Sequence, residues 1–172
     1  AIQIPNRKPT RSRYQLVLDM TRQDVRDYLF KVISDVLSSA DISYVKWDMN
    51  RSICDWYSTE LPVENMGEMQ HRYVLGLYEL LDRLTSEFPH ILFEGCSGGG
   101  GRFDAGILYY CPQIWCSDDT DAYERTKIQY GTSFFYPIST IGSHVSIVPN
   151  HQTGRITPFE TRAVTAMSGS FG

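Results

Sequence analysis

Apolar strand-like segments alternate with helical patterns along almost the whole chain, and this alternation limits the possible folds more than any other feature. Short runs of β-branched and aromatic residues predict four strands, at 42–48, 90–95, 112–118 and 140–148. Apolar residues at helical spacing predict helices over about 22–39, 69–88, 121–130 and from 157 onward. This order favours an α/β fold with a parallel sheet and right-handed crossovers. Four strands are about half of a (β/α)8 TIM barrel, which typically needs about 250 residues.

Three of the predicted helices begin with residues that are typical of helix caps. Thr21 and Asp24 form an acidic variant of the capping box. Asp121 and Glu124 predict the start of the third helix. The last helix is expected to start with a cap, a proline in its first position and an acid in its third, namely Thr157, Pro158 and Glu160.

The composition excludes several classes of partner. Lys and Arg number 16 against 20 Asp and Glu, so at a net charge of −4 neither nucleic acid nor an anionic membrane is expected as a partner. No apolar run approaches the roughly 20 residues of a membrane span. The spacing of the four cysteines fits no zinc site, and we expect buried free thiols in a reducing cytoplasm. The chain begins without Met and stops at "AMSGSFG", so we expect a piece of a longer protein.

Polar, reactive residues follow three of the predicted strands at their carboxyl ends. In parallel α/β folds these ends meet at one edge of the sheet, where the functional site lies. An unpaired buried carboxylate is costly, so packing alone would not place aspartates there. The sequence therefore predicts a site built from Lys46, Asp48 and Asn50, from Glu94, Cys96 and Ser97, and from Ser117, Asp118, Asp119 and Asp121.

The glycine-rich stretch "FEGCSGGGGRFD", at 93–104, has three possible interpretations. A phosphate-binding loop is disfavoured, because Gly101 and Arg102 stand where a P-loop needs Lys and Ser or Thr. A serine hydrolase is a stronger alternative than a phosphate-binding loop, since "GCSGG" matches G-x-S-x-G and would make Ser97 a nucleophile. The third interpretation is the floor of a sugar pocket, with a bare loop that lets a ligand approach the backbone closely.

Only the sugar interpretation uses all three strand ends. Two opposed carboxylates, one a nucleophile and one a general acid, are the minimal machinery of glycoside hydrolysis. Asp48 and Asp118 follow strands that are separated by one other strand, so their backbones should lie roughly 10 Å apart. That spacing admits either a retaining or an inverting pair.

Three long motifs resemble those of glycoside hydrolase family 36 α-galactosidases: "YVKWDMNR" at 44–51, "EGCSGGGGRFD" at 94–104 and "WCSDDTDA" at 115–122. The segments "RSRYQLVLD" and "HVSIVPNHQTGR" are similar to that family as well. The resemblance implies a (β/α)8 catalytic barrel and retaining hydrolysis of terminal α-galactosides such as melibiose and raffinose. It also implies a homo-oligomer, as the family suggests tetramers. It implies no metal and no cofactor.

The resemblance assigns roles to individual residues. It makes Asp48 the nucleophile and Asp118 the acid/base. It places the substrate on Arg13, Lys46, Trp47, Asn50, Cys96 and Gly98. Relatives carry an aspartate pair on an earlier strand, an amino-terminal β-domain and further barrel strands, none of which is in this sequence.

Several assignments have a structural alternative. Asp48 could serve only as the ion-pair partner of Lys46, and Asp119 rather than Asp118 could be the acid. The "SDDTD" cluster could bind a metal, although it lacks the glycine and distal glutamate of a calcium loop. Trp47 could belong to the core, Cys96 could be a packing residue and Arg13 could be solvated.

Overall fold

The computed structural model describes residues 1–171, which divide into two compact units. The first unit contains residues 1–43 and 51–91. The second contains residues 44–50 and the chain from 92 onward. Every predicted site residue except Arg13 belongs to the second unit.

The first unit is built around two helices, α1 (Gln23–Leu37) and α2 (Met69–Glu87), with a 3₁₀ segment at Val63–Glu68 before α2. The apolar stripe of α2 is buried, as its helical spacing predicts; Leu80, Leu81 and Leu84 are fully inaccessible to solvent. The capping box predicted for α1 is wrong. Arg22 occupies the N-cap position without a side-chain cap bond, because the Thr21 hydroxyl donates instead to Asp19, at 2.7 Å.

The second unit contains a five-stranded, all-parallel sheet. Its strands are β1 (Tyr44–Asp48), β2 (Leu92–Cys96), β3 (Gln113–Trp115), β4 (Ile141–Ser143) and β5 (Ser170–Phe171). Each strand pairs with the next one along the chain. The helices of this unit are α3 (Ile107–Tyr110), α4 (Ala122–Ser133) and α5 (Phe159–Met167). Parallel neighbours in sequence order are the arrangement of a (β/α)8 barrel, and the predicted α/β class is confirmed.

The structure differs from the prediction mainly where strands end. β3 and β4 have three residues each, so the strands predicted at 112–118 and 140–148 are too long, and the two-residue β5 was not predicted. After Trp115 the backbone bonds to side chains rather than to a neighbouring strand; the N–H of Asp119, for example, donates to the Ser117 hydroxyl at 3.0 Å. Local bonds of this kind compete with strand pairing.

The two helix caps predicted in this unit have different outcomes. Asp121 caps α4, accepting hydrogen bonds from the backbone N–H groups of Tyr123 at 3.0 Å and Glu124 at 3.2 Å. Thr157 does not cap α5. Pro158 is the N-cap residue there, without a side-chain cap bond, and the Thr157 carbonyl accepts from the Arg162 guanidinium at 3.1 Å.

Across residues 1–171, no helix is both long and apolar enough to cross a bilayer. Within the same residues all four cysteines are free thiols, as the sequence predicts. Cys96 and Cys111 are buried, whereas Cys54 is exposed, so the predicted burial is wrong for Cys54.

Candidate active site

The carboxyl ends of β1 and β2 meet in register at one edge of the sheet. Lys46 pairs with Glu94 and Asp48 with Cys96 along the ladder. The backbone N–H of Met49 donates to the Cys96 carbonyl at 3.1 Å, which extends the contact past the end of β1. Residues from the KWD motif and from the glycine loop are thereby brought together, as the sequence predicts.

The carboxylate of Asp48 is solvent-exposed and is held by Asn50. The Asn50 side-chain nitrogen donates to Asp48, while its carbonyl oxygen accepts from the Gly98 backbone N–H at 2.7 Å. Because the backbone N–H can only donate, it decides which end of the amide faces Asp48. Asn50 therefore links the glycine loop to the aspartate.

Lys46 forms its ion pair with Glu94 across the β1–β2 ladder, at 3.5 Å, and not within β1 as the alternative for Asp48 supposed. The other Glu94 oxygen accepts a hydrogen bond from the Tyr44 hydroxyl. Burial and the neighbouring Glu94 carboxylate raise the pKa of Tyr44, so this phenol remains a donor. Glu94 is 5% exposed, and its two partners satisfy both oxygens of a carboxylate that would otherwise be costly to bury.

The Cys96 thiol is buried and lies beside Asp48. Burial raises the pKa of Cys96 to about 11, against a backbone N–H from Gly99 that lowers it and with a further rise from Asp48. The side chain is therefore a neutral thiol near neutral pH. A neutral thiol can donate a weak hydrogen bond and is a poor nucleophile.

The glycine loop packs against the segment between β3 and Asp118. Gly98 and Gly99 have φ values of 57° and 82°, a region that favours glycine. A Cβ atom at Gly99 would lie 2.8 Å from the Cα of Ser117. Gly99 therefore allows two segments of the chain to pack closely, whereas Gly98 is exposed and accessible to a ligand.

Asp118 is also solvent-exposed, and its carboxylate accepts a hydrogen bond from the indole N–H of Trp115 at 3.1 Å. Asp119 has a different environment. One of its oxygens accepts the backbone N–H of Asp121 at 3.0 Å, which orders the loop before α4. The loop thus exposes one acid of the SDD motif and uses the other in its own structure.

Trp115 is 7% exposed and three side chains lie over its ring, a cluster that sequence reasoning did not identify. The Lys46 ammonium is 4.4 Å and the Arg125 guanidinium 4.5 Å from the ring centroid. The His144 ring stacks on it at 4.6 Å with a 13° angle between the planes. Arg125 lies four residues after Asp121 in a helical pattern, so its sequence context resembles that of a surface arginine.

Asp121 joins the SDD loop to the segment that follows β4. It is fully buried, and its second oxygen accepts from the Thr153 hydroxyl at 2.7 Å while Arg155 forms an ion pair with it. Burial alone would raise the pKa of Asp121, but Thr153, the helix N–H groups and Arg155 together lower it below its ordinary value. A charged Asp121 therefore fixes the loop on which Asp118 lies.

Two further predicted substrate contacts are Trp47, in β1, and Arg13, in the first unit. Trp47 stands between Lys46 and Asp48 in β1, so strand alternation places it on the opposite face of the sheet. Arg13 belongs to the first unit, where it is exposed in a two-residue turn closed by Ser12 and Gln15. Its φ of 51° is unusual for a residue other than glycine, and such backbone strain is concentrated at functional sites.

The serine-hydrolase interpretation is not supported. The Ser97 hydroxyl donates to the Met49 carbonyl at 2.7 Å, so its hydrogen is committed to the backbone. A nucleophilic serine needs a general base at that position.

A metal site at the SDDTD cluster also finds no support. In the described part of the chain, no group of three or more His, Cys, Asp or Glu residues is arranged to hold a metal ion.

Comparison with known proteins identifies the family. The sequence model described as melibiase matches residues 1–172, the whole chain. The chain belongs to the melibiase family. Two relatives of this melibiase chain are the bifunctional alpha-galactosidase/sucrose kinase AgaSK of Mediterraneibacter gnavus, 61% identical over 172 residues, and alpha-galactosidase AgaA of Geobacillus stearothermophilus, 60% identical over 171. The alignment with AgaSK includes 100% of this chain and 18% of the relative, and the alignment with AgaA includes 99% and 24%. The chain therefore spans a quarter or less of the length of these relatives.

Solved structures agree with this assignment. The GH36 alpha-galactosidase AgaA from Geobacillus stearothermophilus matches 99% of the melibiase chain with a TM-score of 0.96 and 60% identity, over 24% of its own chain. The galactosidase domain of AgaSK matches with a TM-score of 0.93 and 61% identity, covering 100% of this chain and 23% of its own. The resemblance to glycoside hydrolase family 36 is confirmed.

Proposed function

We propose that this chain is the catalytic segment of a retaining α-galactosidase that releases terminal α-linked galactose from oligosaccharides such as melibiose and raffinose. The strongest support is the pair of solvent-exposed carboxylates, Asp48 and Asp118, at the carboxyl edge of one parallel sheet. The family 36 relative AgaA has been crystallised with raffinose and with stachyose, both as substituted forms. Because the chain covers only part of such relatives, the activity belongs to the full-length protein.

Asp48 acts as the nucleophile, forming a covalent galactosyl-aspartate that water then hydrolyses. Its exposed carboxylate is held by Asn50. The raffinose complex of AgaA carries an aspartate-to-asparagine substitution and the stachyose complex an aspartate-to-alanine substitution. The two substituted aspartates are 70 positions apart in that chain, the same separation as Asp48 and Asp118 here.

Asp118 acts as the acid/base. It donates a proton to the glycosidic oxygen in the first step and takes one from water in the second. Its alternative, Asp119, has an oxygen bonded to the Asp121 N–H within its own loop, which favours Asp118 for the role that needs access to substrate.

The substrate contacts separate into two groups. Lys46 and Cys96 flank Asp48 at the carboxyl ends of β1 and β2 and are donors suited to galactose hydroxyls, while Gly98 leaves room for the ring. We propose that Arg13 contacts the sugar, as the resemblance implies, and its exposed turn with a positive φ supports this role. Trp47 lies on the other face of β1, and we assign it to packing rather than to sugar stacking.

The remaining expectations concern the whole protein. We propose that the five strands are completed to an eight-stranded barrel by further chain, and that an amino-terminal β-domain precedes it, as the resemblance implies. Relatives four or more times longer than this chain support that proposal. Four free thiols favour a cytoplasmic protein. A homo-oligomer remains an expectation from the family.

Covalent trapping tests the function directly. The full-length protein is incubated with an activated 2-deoxy-2-fluorogalactoside, which slows hydrolysis of the intermediate, and is then digested for mass spectrometry. We expect one galactosyl adduct on the peptide that contains Asp48, and none in the Asp48→Asn variant. An adduct on another residue, or turnover of α-galactosides that Asp48→Asn does not impair, would refute the assignment.

A further inference from the structure

The indole of Trp115 is rigidly held beside the proposed acid/base. The ring is 7% exposed, stacks on His144 and lies 4.4 Å from the Lys46 ammonium and 4.5 Å from the Arg125 guanidinium. Arg125 is itself fixed, since it donates at 3.1 Å to both the Gln129 side chain and the Ser117 carbonyl. The direction of the indole N–H is therefore set by three surrounding side chains and by β3.

We propose that Trp115 is a positioning residue for the reaction. Its indole N–H determines which oxygen of Asp118 exchanges the catalytic proton, an inference that rests on the proposed function. The indole nitrogen can only donate, and it bonds Oδ1 of Asp118 at 3.1 Å. The catalytic proton is therefore carried by Oδ2. Oδ2 faces the glycosidic oxygen, and the indole keeps the carboxyl group from rotating between the two steps.

The same ring connects the acid to the sugar-binding side of the site. Lys46 lies over Trp115 and is anchored by Glu94 at 3.5 Å, so a galactose hydroxyl bound by Lys46 and the acid on Asp118 share one rigid support. A fixed distance between a binding group and a catalytic group is what an aligned proton transfer requires. Trp115 thus acts through Asp118 and Lys46, with no need to touch the reacting atoms.

The variant Trp115→Phe tests the role of the indole N–H separately from the role of the aromatic ring. Phenylalanine keeps an aromatic face for Lys46, Arg125 and His144 but removes the donor. In the full-length protein we expect kcat on melibiose to fall about ten- to hundredfold, with a smaller loss on an aryl galactoside whose leaving group needs no proton.

Trp47→Phe is the matched control. It makes the same substitution in β1, on the face of the strand opposite to Lys46 and Asp48. It should leave the leaving-group dependence unchanged. If Trp115→Phe has only the effects of Trp47→Phe, the positioning role is refuted while the galactosidase assignment stands. Absence of α-galactosidase activity in the unsubstituted protein would instead refute the proposed function.

A spectroscopic measurement covers the case in which Trp115→Phe does not fold. In full-length protein labelled with 5-fluorotryptophan, one fluorine resonance should differ between the unsubstituted protein and Asp118→Asn, because the indole N–H of Trp115 then meets an amide in place of a carboxylate. This readout requires no activity. A spectrum in which no tryptophan resonance responds to Asp118→Asn would overturn the proposal.

Discussion

The Asn50 side-chain carbonyl accepts a hydrogen bond from the backbone N–H of Gly98 at 2.7 Å, which turns the amide nitrogen toward Asp48. The glycine loop therefore does more than leave room for a sugar, because one of its backbone N–H groups orients the side chain that holds the proposed nucleophile. Both ends of the Asn50 amide are occupied by these bonds. Asn50 should therefore act through Asp48 more than through the substrate, unlike the sugar contact that the resemblance implies.

Asn50→Ala tests this distinction in the full-length protein. We expect kcat to fall by about a hundredfold with little change in KM, because the carboxylate loses its fixed orientation toward the anomeric carbon. Asn50→Asp should be at least as damaging, since a second carboxylate would repel Asp48. Steady-state kinetics on melibiose measure both. A raised KM with unchanged kcat would show that Asn50 binds the sugar and does not position Asp48.

Asp118→Asn should reveal the acid through the leaving group. Slow-leaving natural aglycones need protonation, so their hydrolysis should drop by about two to four orders of magnitude, whereas activated aryl galactosides should lose far less. The comparison requires kcat/KM for both substrate classes. Equal losses on the two classes would count against Asp118, and the leaving-group pattern in Asp119→Asn would move the assignment to Asp119.

Ser97→Ala should leave catalysis within about tenfold of the unsubstituted protein. The hydroxyl bonds the Met49 carbonyl, and its loss should cost roughly 1 kcal/mol of stability without removing a reacting group. Fluorophosphonate reagents should not label the full-length protein, which intact-mass measurement can establish. Stoichiometric labelling at Ser97 would restore the serine-hydrolase interpretation.

The sequence was sufficient to predict the fold class and which residues gather at the sheet edge. Strand periodicity is local, and the carboxyl ends of parallel strands necessarily share an edge, so Asp48, Cys96 and Asp118 could be grouped without coordinates. The lengths of β3 and β4 could not be predicted. Those strands end where the backbone bonds to side chains such as Ser117, and such local bonds leave no periodic signal.

Partners within the site could not be predicted for a different reason. Lys46 and Asp48 alternate to one face of β1, yet Lys46 pairs with Glu94 because the ladder places that buried carboxylate directly beside it. Likewise, Trp115 donates to Asp118, three residues later in the chain, and meets Arg125 and His144 through tertiary packing. Pairing of side chains from different strands depends on register and rotamer, which the pattern of residue types does not encode.

His144 should make the protein less stable in acid. Burial, with repulsion from Arg125 and Lys46 and a smaller opposing effect of Glu94, lowers the pKa of His144 below its ordinary 6.5. The folded state thus binds this proton more weakly than the unfolded chain, so the stabilisation is present above about pH 6.5 and is lost as the pH falls through the lowered pKa. Full-length His144→Phe keeps a ring against Trp115 but cannot titrate.

We therefore expect the unfolding midpoint to drop less between pH 7 and pH 5 in His144→Phe than in the unsubstituted protein. The exposed His151, replaced by Phe, serves as the control and should keep the drop of the unsubstituted protein. Identical pH dependence in all three proteins would show that His144 does not couple folding to protonation.

The stereochemical outcome follows from the distance between the two carboxyl groups. Only β2 lies between β1 and β3, so the strand ends that lead to Asp48 and Asp118 are about 10 Å apart at the backbone. Side chains that both project over the sheet edge can close that gap to about 5–6 Å, which excludes the water that an inverting enzyme needs at about 6.5 Å or more. Asp48 then attacks the anomeric carbon directly, and two inversions retain its configuration. The first product from an α-galactoside should be α-galactose, seen by proton NMR of the full-length protein's reaction before mutarotation. β-Galactose as first product, or a carboxyl separation near 9 Å in a substrate complex, would contradict the retaining mechanism.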